Sequence, residues 1–370
     1  MCSCMSAVNG ESLISTRARC RTRLPASSPR RCAMDRVRYT ERSSGAAHID
    51  LIYRPPRWLP NAHIQTIVPA LLARAPRVAY RRERWTTPDD DFIELDWLDT
   101  AGQAQNAPLV VLFHGLEGSS DSHYARTLMA AVALQGWRGV VPHFRSCSGP
   151  INLAPRFYHL GDSAEMDWIL RRLRDAHAGP LLVTGVSLGG NVLLRWLGER
   201  REDAGRRVDA AAAISAPLDP SVGGVALSSG FNLLYTRNFL RTLKRKAIIK
   251  AQQYPGLFDI TATLQARNFR AFDDIVTAPL HGFRDVDDYW KRAASKPLLR
   301  EITVPTLLLN ARNDPFLPAH ALPAARDVSA AVELEQPEYG GHVGFMTGPF
   351  PGRIEWLARR VLDYFHPYAR

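Results

Sequence analysis

Short apolar runs alternate with amphipathic stretches along most of this chain. Such runs predict strands that are buried on both faces of a sheet. The predicted buried strands are Leu109–Phe113, Trp137–Pro142, Leu181–Thr184, Val208–Ser215, Val304–Leu309 and Ala331–Leu334. Apolar and polar residues instead alternate over Val78–Trp85 and Phe92–Leu98, which predicts a hairpin that turns at Pro88–Asp91.

The stretches between these runs carry apolar residues at helical spacing, which predicts amphipathic helices. The predicted helices are a short one after Asn61, then Ser122–Gln135, Ser163–Ala176, Asn191–Leu197, Phe231–Gln252 and Ile354–Phe365. Strands that alternate with helices in this way predict an α/β fold with a mostly parallel, doubly wound sheet and helices on both faces.

Candidate functional residues directly follow four of the predicted strands. Ligands of doubly wound sheets bind at the carboxyl ends of the strands. The residues at these positions are His114, Ser187, Asp314 and His342. We therefore expect all four to collect at one edge of the sheet.

The strand pattern stops over residues 218–300, where helical stretches dominate. This segment is too long for a simple crossover, so we expect a helical cap inserted into a core made of residues 49–217 and 301–370. The cap supplies the large apolar residues Phe231, Leu233, Leu234, Phe239, Leu240 and Phe258. Most should form the cap's own core, and a few should line an apolar slot above Ser187. We expect Leu243–Lys246 to be a solvated cap surface or, alternatively, a contact for anionic headgroups.

The first 48 residues are rich in Ser, Arg and Ala and show no hydrophobic periodicity, which predicts a disordered extension. Their composition is similar to that of an organelle transit peptide, but they lack the apolar core of a secretory signal. A start of translation at Met34 is the other interpretation of this segment.

The formal net charge of +11 is the feature that would suggest a nucleic-acid partner. Residues 1–42 hold nine arginines against three acids, a net of +6, which leaves +5 for the rest of the chain. No basic stripe interleaved with aromatic residues occurs, so we expect no nucleic-acid partner.

No apolar run approaches the length of a bilayer span, which predicts a soluble protein with at most peripheral membrane contact.

Cysteine usage favours a reducing compartment. Four of the five cysteines lie in the leading segment, and only Cys147 lies in the part predicted to fold. A single cysteine cannot form an internal disulfide framework there. We therefore expect a cytoplasmic protein.

A glycine-flanked serine lies between one apolar run and a helical pattern. The segment Gly185–Gly189 has the form G-x-S-x-G and places Ser187 on a strand-to-helix turn. Glycines are needed because side chains two residues either side of the serine would collide with the neighbouring strand and helix. The turn raises the hydroxyl above the sheet edge. Because a serine that only caps a helix would give the same motif, the motif alone leaves both interpretations open.

A serine hydroxyl becomes a nucleophile at neutral pH when a base takes its proton and a carboxylate orients that base. Ser187, Asp314 and His342 occur in the chain order serine, acid, histidine that this fold type uses. Asp219, which follows an earlier strand, is the rival acid. We favour Asp314 because it leaves the strand nearest to the histidine strand.

Neighbouring residues are expected to support this site. The N–H groups of Leu116 and Leu188 should hold an oxyanion, and His114 should fix the loop that contains Leu116. Other nearby residues are expected to stabilise loops or to fill the core, and these are Glu117, His123 and Cys147. No paired histidines or clustered ligands occur at metal spacing, so we expect neither a metal nor another cofactor.

Several motifs recur together along the chain, and they are His63–Thr66, His114–Gly118, Phe144–Gly149, Gly185–Leu194, Phe272–Asp274, Thr277–Phe283, Asn313–Phe316 and Gly340–Phe345. This combination resembles the YheT-like family of α/β-hydrolases from about Leu51 to the C-terminus. The resemblance implies the α/β-hydrolase fold and carries the family's catalytic triad onto Ser187, Asp314 and His342. Ser146 stands where relatives usually have Gly, which bears on the shape of its loop rather than on the chemistry.

The resemblance implies a carboxylic-ester hydrolase of the branch that includes medium-chain esterases, phospholipase-like proteins and ester-forming acyltransferases. We expect a serine esterase that cleaves short- to medium-chain acyl or lipid-like esters through an acyl-enzyme, with a small-molecule ester or an acylglycerol-like compound as its substrate. The alternatives are an acyltransferase that forms esters and a non-catalytic binding protein of the same shape. All three triad candidates are present, which disfavours the binding protein because such a protein is free to lose them.

Overall fold

One mostly parallel sheet organises the part of the chain that the computed structural model describes, residues 52–98 and 102–370. Its eight strands lie in the order β1-β2-β4-β3-β5-β6-β7-β8. The strands are β1 (Tyr80–Thr86), β2 (Phe92–Leu98), β3 (Leu109–Phe113), β4 (Arg138–Pro142), β5 (Leu181–Val186), β6 (Ala210–Ile214), β7 (Thr306–Leu309) and β8 (Val332–Glu335). The β1–β2 and β2–β4 pairs are antiparallel, and the other pairs are parallel. The predicted fold class is confirmed.

Helices connect the strands and cover the sheet. They are α1 (Ala62–Leu72), α2 (His123–Leu134), α3 (Ser163–Ala176), α4 (Leu188–Arg200), α5 (Pro220–Ala226), α6 (Leu233–Gln253), α7 (Ile260–Gln265), α8 (Phe269–Phe272), α9 (Ala278–Leu280), α10 (Val286–Ala293) and α11 (Glu355–Phe365). A π-helical stretch, Asp273–Thr277, joins α8 to α9. Each predicted strand and helix has an observed counterpart whose ends differ by at most three residues.

Both faces of the sheet are buried, which explains why its central strands are continuous apolar runs. Val111 and Phe113 of β3 belong to the same buried cluster as side chains of α3 and α4. Val110 and Leu112 point the other way and belong to a cluster with side chains of α2 and α11. Successive residues of a strand face opposite sides, so every residue of β3 is buried.

Residues 218–300 are fully described and contain helices without a strand. Their treatment as a separate cap with these boundaries stays a prediction. The expected extension over residues 1–48, together with the alternative start at Met34, lies outside the described residues. Within the described ranges, none of the helices combines the length and apolar character that crossing a bilayer requires.

Candidate active site

The turn at Ser187 has the geometry that its glycines permit. β5 ends at Val186 and α4 begins at Leu188, and Ser187 between them has φ 52° and ψ −118°. A Cβ atom at Gly185 would lie 2.5 Å from the carbonyl oxygen of Gly189, and one at Gly189 would lie 2.4 Å from that of Phe113. Because Cβ atoms do not approach backbone this closely, only glycine fits at either position. The structure therefore agrees with the collision expected from the motif.

Three predicted residues meet at the carboxyl edge of the sheet. His342 Nε2 lies 2.9 Å from Ser187 Oγ, and His342 Nδ1 lies 2.8 Å from Asp314 Oδ2. The Asp314 side chain is fully buried, and that of His342 is 10% exposed. The Phe316 ring stacks on the imidazole with 4.0 Å between centroids. The imidazole is thus oriented by a carboxylate on one side and presented to the serine on the other.

The rival acid serves a different purpose. Asp219 is the N-cap of α5, where its Oδ1 accepts hydrogen bonds from the N–H groups of Ser221 and Val222 at 3.1 and 3.3 Å. A side chain that caps a helix in this way satisfies backbone donors that would otherwise lack partners. Between the two candidate acids, the geometry joins only Asp314 to His342.

The lead-in helix α1 holds the loop of the histidine, a role that sequence reasoning did not assign. Gln65 Oε1 accepts hydrogen bonds from Asn313 Nδ2 and from the Gly340 N–H, each at 2.9 Å. Thr66 Oγ1 accepts from the His342 N–H at 2.9 Å. The motif His63–Thr66 carried the family resemblance, but nothing in its spacing connects it to a loop more than 270 residues away.

The expected oxyanion donors lie beside the serine. Leu116 and Leu188 line the same cavity as Ser187. Leu188 is the first residue of α4, where a backbone N–H has no partner within the helix. A Cβ atom at Gly115 would lie 3.2 Å from that of Ser187, so the loop containing Leu116 passes directly against the serine.

His114 has the structural role expected of it. Its Nδ1 lies 2.8 Å from the Gly115 carbonyl oxygen, and its Nε2 accepts a hydrogen bond from the Phe144 N–H at 3.1 Å. One nitrogen must therefore donate and the other accept, which only the neutral imidazole can do. Burial, with a further contribution from the nearby His143, lowers the pKa of His114 to about 3.

A cavity with about 1060 Å³ of empty space, part of it open to solvent, lies over Ser187 and His342. Its apolar wall includes Leu227, Phe239, Leu243, Phe269, Phe272 and Trp290 from the segment predicted as a cap. Of the apolar residues singled out in the sequence, Phe239 reaches this wall. Leu240 does not line the cavity but packs in a buried cluster with Phe272 of the wall, whereas Phe231 and Leu234 are 52% and 53% exposed.

The expectation that Leu243–Lys246 forms a solvated surface is wrong for Leu243 and Lys246, whereas Arg245 is exposed as expected. Leu243 and Lys246 line the cavity, and Lys246 Nζ pairs with Glu117 Oε1 at 2.6 Å. Lys244 Nζ donates to the carbonyl oxygen of Leu264 at 2.8 Å. A run of basic residues in the sequence resembles a solvated helix face. Successive residues of a helix point in different directions, however, and contacts from other segments determine which of them are buried.

Two further residues near the site, His123 and Cys147, are uncharged at neutral pH. Burial lowers the pKa of His123 to about 4 and raises the pKa of the Cys147 thiol to about 11. The imidazole is therefore neutral and the thiol protonated at neutral pH.

Among the described residues, no group of three or more His, Cys, Asp or Glu side chains is placed to hold a metal ion.

Comparison with known proteins places this architecture in a family. Residues 108–349 match the profile of the α/β-hydrolase fold. The chain is 39% identical to YheT of Escherichia coli (strain K12), which carries the name of an esterase, over 85% of this chain and 93% of that protein. It is 30% identical to the phospholipase ABHD3 of Mus musculus, over 83% of this chain and 76% of that protein.

The fold has a counterpart among solved structures. The Pyrococcus furiosus esterase Pf2001 superposes with a TM-score of 0.51 at 17% identity, covering 79% of this chain and 94% of that one. The superposition supports the fold, and the family profile and the similarity to YheT establish the relationship. The chain belongs to the YheT-like family of α/β-hydrolases.

Proposed function

We propose that this carboxylic-ester hydrolase cleaves its substrates through a catalytic triad of Ser187, His342 and Asp314. The observation that carries the proposal is the continuous hydrogen-bonded line from Ser187 Oγ through the imidazole of His342 to Asp314 Oδ2, with steps of 2.9 and 2.8 Å. These distances are within the reach that proton transfer requires. The names of two relatives, an esterase and a phospholipase, support the same class of reaction.

Acylation begins when Ser187 Oγ attacks the acyl carbon of the ester and His342 Nε2 takes the hydroxyl proton. Asp314 keeps the proton of the imidazole on Nδ1 and stabilises the imidazolium that forms. The N–H groups of Leu116 and Leu188 stabilise the negative oxygen of the tetrahedral intermediate. The carbon–oxygen bond to the alcohol then breaks, and His342 returns the proton to the leaving oxygen.

Deacylation repeats these steps with water as the nucleophile. His342 removes a proton from the water as its oxygen attacks the acyl carbon, and the second tetrahedral intermediate uses the same two N–H groups. Collapse of this intermediate releases the carboxylic acid and returns the proton to Ser187 Oγ. The same acyl-enzyme could transfer its acyl group to an alcohol, so product analysis decides between the hydrolase and the acyltransferase alternative.

The cavity supports a preference for uncharged acyl esters of short to medium chain or of lipid-like character. Its wall over the serine is formed largely by leucine and aromatic side chains. Each methylene that a substrate buries against such a wall makes the free energy of binding more favourable. Its two charged lining residues are Lys246, which is already paired with Glu117, and Asp273. A free carboxylate or phosphate in the acyl part would find no unpaired cation among these residues.

The cytoplasmic location stays a prediction.

Labelling with a fluorophosphonate probe tests the triad without knowledge of the natural substrate. We expect the wild-type protein to be labelled and Ser187→Ala not to be. Hydrolysis of p-nitrophenyl butyrate by Ser187→Ala should fall by at least about 10⁴-fold, as removal of a triad nucleophile does elsewhere. An unlabelled wild-type protein would favour the non-catalytic alternative, and an alanine variant with a tenth of the activity would contradict the assignment of Ser187.

The acyl preference is tested by kcat/KM for p-nitrophenyl esters from acetate to palmitate. We expect kcat/KM to rise by up to about fourfold per methylene through the short chains, because each buried methylene contributes about 0.8 kcal/mol. The rise should stop at medium length, where the cavity is filled. A flat profile, or faster cleavage of matched amides than of esters, would contradict an apolar acyl slot.

A further inference from the structure

Glu117, the residue after Leu116, has a backbone conformation that is unfavourable for a residue with a side chain. Glu117 has φ 56°, in the left-handed region that residues with a side chain rarely adopt. Such a conformation costs about 1–2 kcal/mol for a residue other than glycine. The loop that carries the Leu116 N–H therefore keeps its shape through contacts with other parts of the molecule.

Two other segments meet at Glu117 to supply those contacts. The Tyr158 hydroxyl accepts a hydrogen bond from the Glu117 N–H and donates one to Glu117 Oε1, each at 2.8 Å. Lys246 Nζ, on α6, donates to the same Oε1 at 2.6 Å. The Tyr158 ring is in turn stacked on Phe144, with 5.2 Å between centroids. Both the backbone and the side chain of Glu117 are thus fixed.

The other end of the loop is held independently. The Gly115 N–H donates to the Tyr124 hydroxyl at 2.9 Å, and Tyr124 belongs to α2. The N–H of Leu116 therefore lies between an anchor at Gly115 and an anchor at Glu117. Loss of either anchor would leave this N–H free to turn away from the position where the oxyanion forms.

We propose that Lys246, Glu117 and Tyr158 form a positioning clamp that aims the Leu116 N–H at the oxyanion, so that a helix of the predicted cap sets the geometry of the oxyanion hole. The inference rests on the proposed function, since it assigns work to the Leu116 N–H in that reaction. The three residues are positioning residues, because they act through the loop and not on the reacting atoms.

The ion pair between Lys246 and Glu117 is sufficiently buried to hold the loop in place. The Lys246 and Glu117 side chains are 17% and 9% exposed, so their attraction is screened far less than that of a surface ion pair. Lys250, one turn further along α6, also joins this helix to the core, but its Nζ donates to the carbonyl oxygens of Asn152 and Ala154 at 2.6 and 2.9 Å. Lys250 thus attaches the same helix without touching the oxyanion loop, which makes it a matched control.

The test compares Lys246→Met and Tyr158→Phe with Lys250→Met, using p-nitrophenyl butyrate and a trifluoromethyl ketone that forms a tetrahedral adduct. We expect Lys246→Met and Tyr158→Phe to lower kcat roughly 10- to 100-fold, because a misplacement of about 1 Å costs up to about 10²-fold. KM should stay within about threefold of wild type, and the affinity for the ketone should fall by the same factor as kcat. Lys246→Arg, which keeps the cation, should restore most of the activity.

Lys250→Met separates positioning from simple attachment of the helix. We expect it to lower the melting temperature while leaving kcat within about threefold of wild type. An equal loss of kcat in Lys250→Met would overturn the clamp, as would unchanged kcat in both Lys246→Met and Tyr158→Phe. A rise in KM with unchanged kcat would also overturn it and would make Lys246 a substrate contact. Because Tyr158→Phe keeps the ring that packs on Phe144, it tests the clamp even where Lys246→Met fails to fold.

Ser187→Ala distinguishes failure of this inference from failure of the proposed function. Where Ser187→Ala abolishes hydrolysis and the clamp variants match wild type, only the clamp is refuted. Where Ser187→Ala keeps its activity, the proposed function and the clamp are refuted together.

Discussion

The two sides of the cavity are built in different ways. On the sheet side, Ser187 directly follows β5, Asp314 and His342 lie in the loops after β7 and β8, and glycines at the serine turn allow close contact. On the side of the predicted cap, helices that include the long α6 supply a largely apolar wall with two charged residues, Lys246 and Asp273. The proposed proton transfers thus depend on the sheet side, whereas substrate preference depends on the apolar wall of the helical segment.

The two sides also differ in how their polar groups are satisfied. Asp314 accepts a hydrogen bond from the Phe316 N–H at 2.8 Å in addition to its contact with His342, so its carboxylate is held at both oxygens. Within the described part of the chain, the side-chain donors to Asp273 are neutral, and they are Thr277 Oγ1 at 2.7 Å and Trp290 Nε1 at 2.9 Å. Substitutions on the sheet side should therefore change turnover, and substitutions in the apolar wall or at Asp273 should chiefly change selectivity or stability. Lys246 is the expected exception, because its bond to Glu117 belongs to the proposed clamp.

The largest expected effect separates the two candidate acids. Asp314→Asn should lower kcat by about 10³- to 10⁴-fold, because the amide no longer holds the imidazole in the reactive tautomer. Asp219→Asn should leave kcat within about threefold, since asparagine also caps helices well. Steady-state kinetics of both variants on one ester provide the measurement. The reverse pattern would move the orienting acid to the loop after β6.

The sequence predicted the sheet side well because local rules determine it. A buried strand, a G-x-S-x-G turn and the chain order of serine, acid and histidine each constrain their own neighbourhood, and a parallel sheet then brings Ser187, Asp314 and His342 to one edge. The glycines at 185 and 189 are required by contacts within a few residues or with the adjacent strand.

The sequence predicted the cap side and the supporting contacts poorly because these depend on distant segments. Lys246 looked like part of a solvated basic run until Glu117, 129 residues earlier, supplied its partner. Gln65 and Thr66 belong to a recognisable motif, but their hydrogen bonds join them to loops at the other end of the chain. No periodicity or spacing rule encodes pairings of this kind.

A smaller effect is expected where α1 supports the histidine loop. Thr66→Val removes the oxygen that accepts from the His342 N–H, and we expect kcat to fall about 10-fold as the imidazole loses its exact placement. The free energy of unfolding should fall by about 1–3 kcal/mol, because the buried N–H loses its partner. Thr66→Ser keeps the hydroxyl and should stay close to wild type in kinetics and in urea denaturation. Equal activity in the valine and serine variants would show that this bond does not position His342.

The smallest expected effect concerns stability on the cap side and its dependence on pH. The half-buried Asp273 carboxylate faces the cavity, and burial raises its pKa from 3.8 to about 6, against the smaller opposing effect of its bonds to Thr277 and Trp290. Between about pH 4 and pH 6 the folded protein therefore binds more protons at this residue than the unfolded chain does. Its contribution to the free energy of unfolding falls as pH rises through that window.

The variant Asp273→Asn makes this contribution measurable, because the amide that replaces the carboxylate does not titrate. The stability of Asp273→Asn relative to wild type should therefore be greater at pH 7 than at pH 4. Urea denaturation of both proteins at the two pH values measures this difference, in which the other titrating groups cancel. A difference that is the same at both pH values would show that the Asp273 carboxylate is ionised in the folded protein as readily as in the unfolded chain.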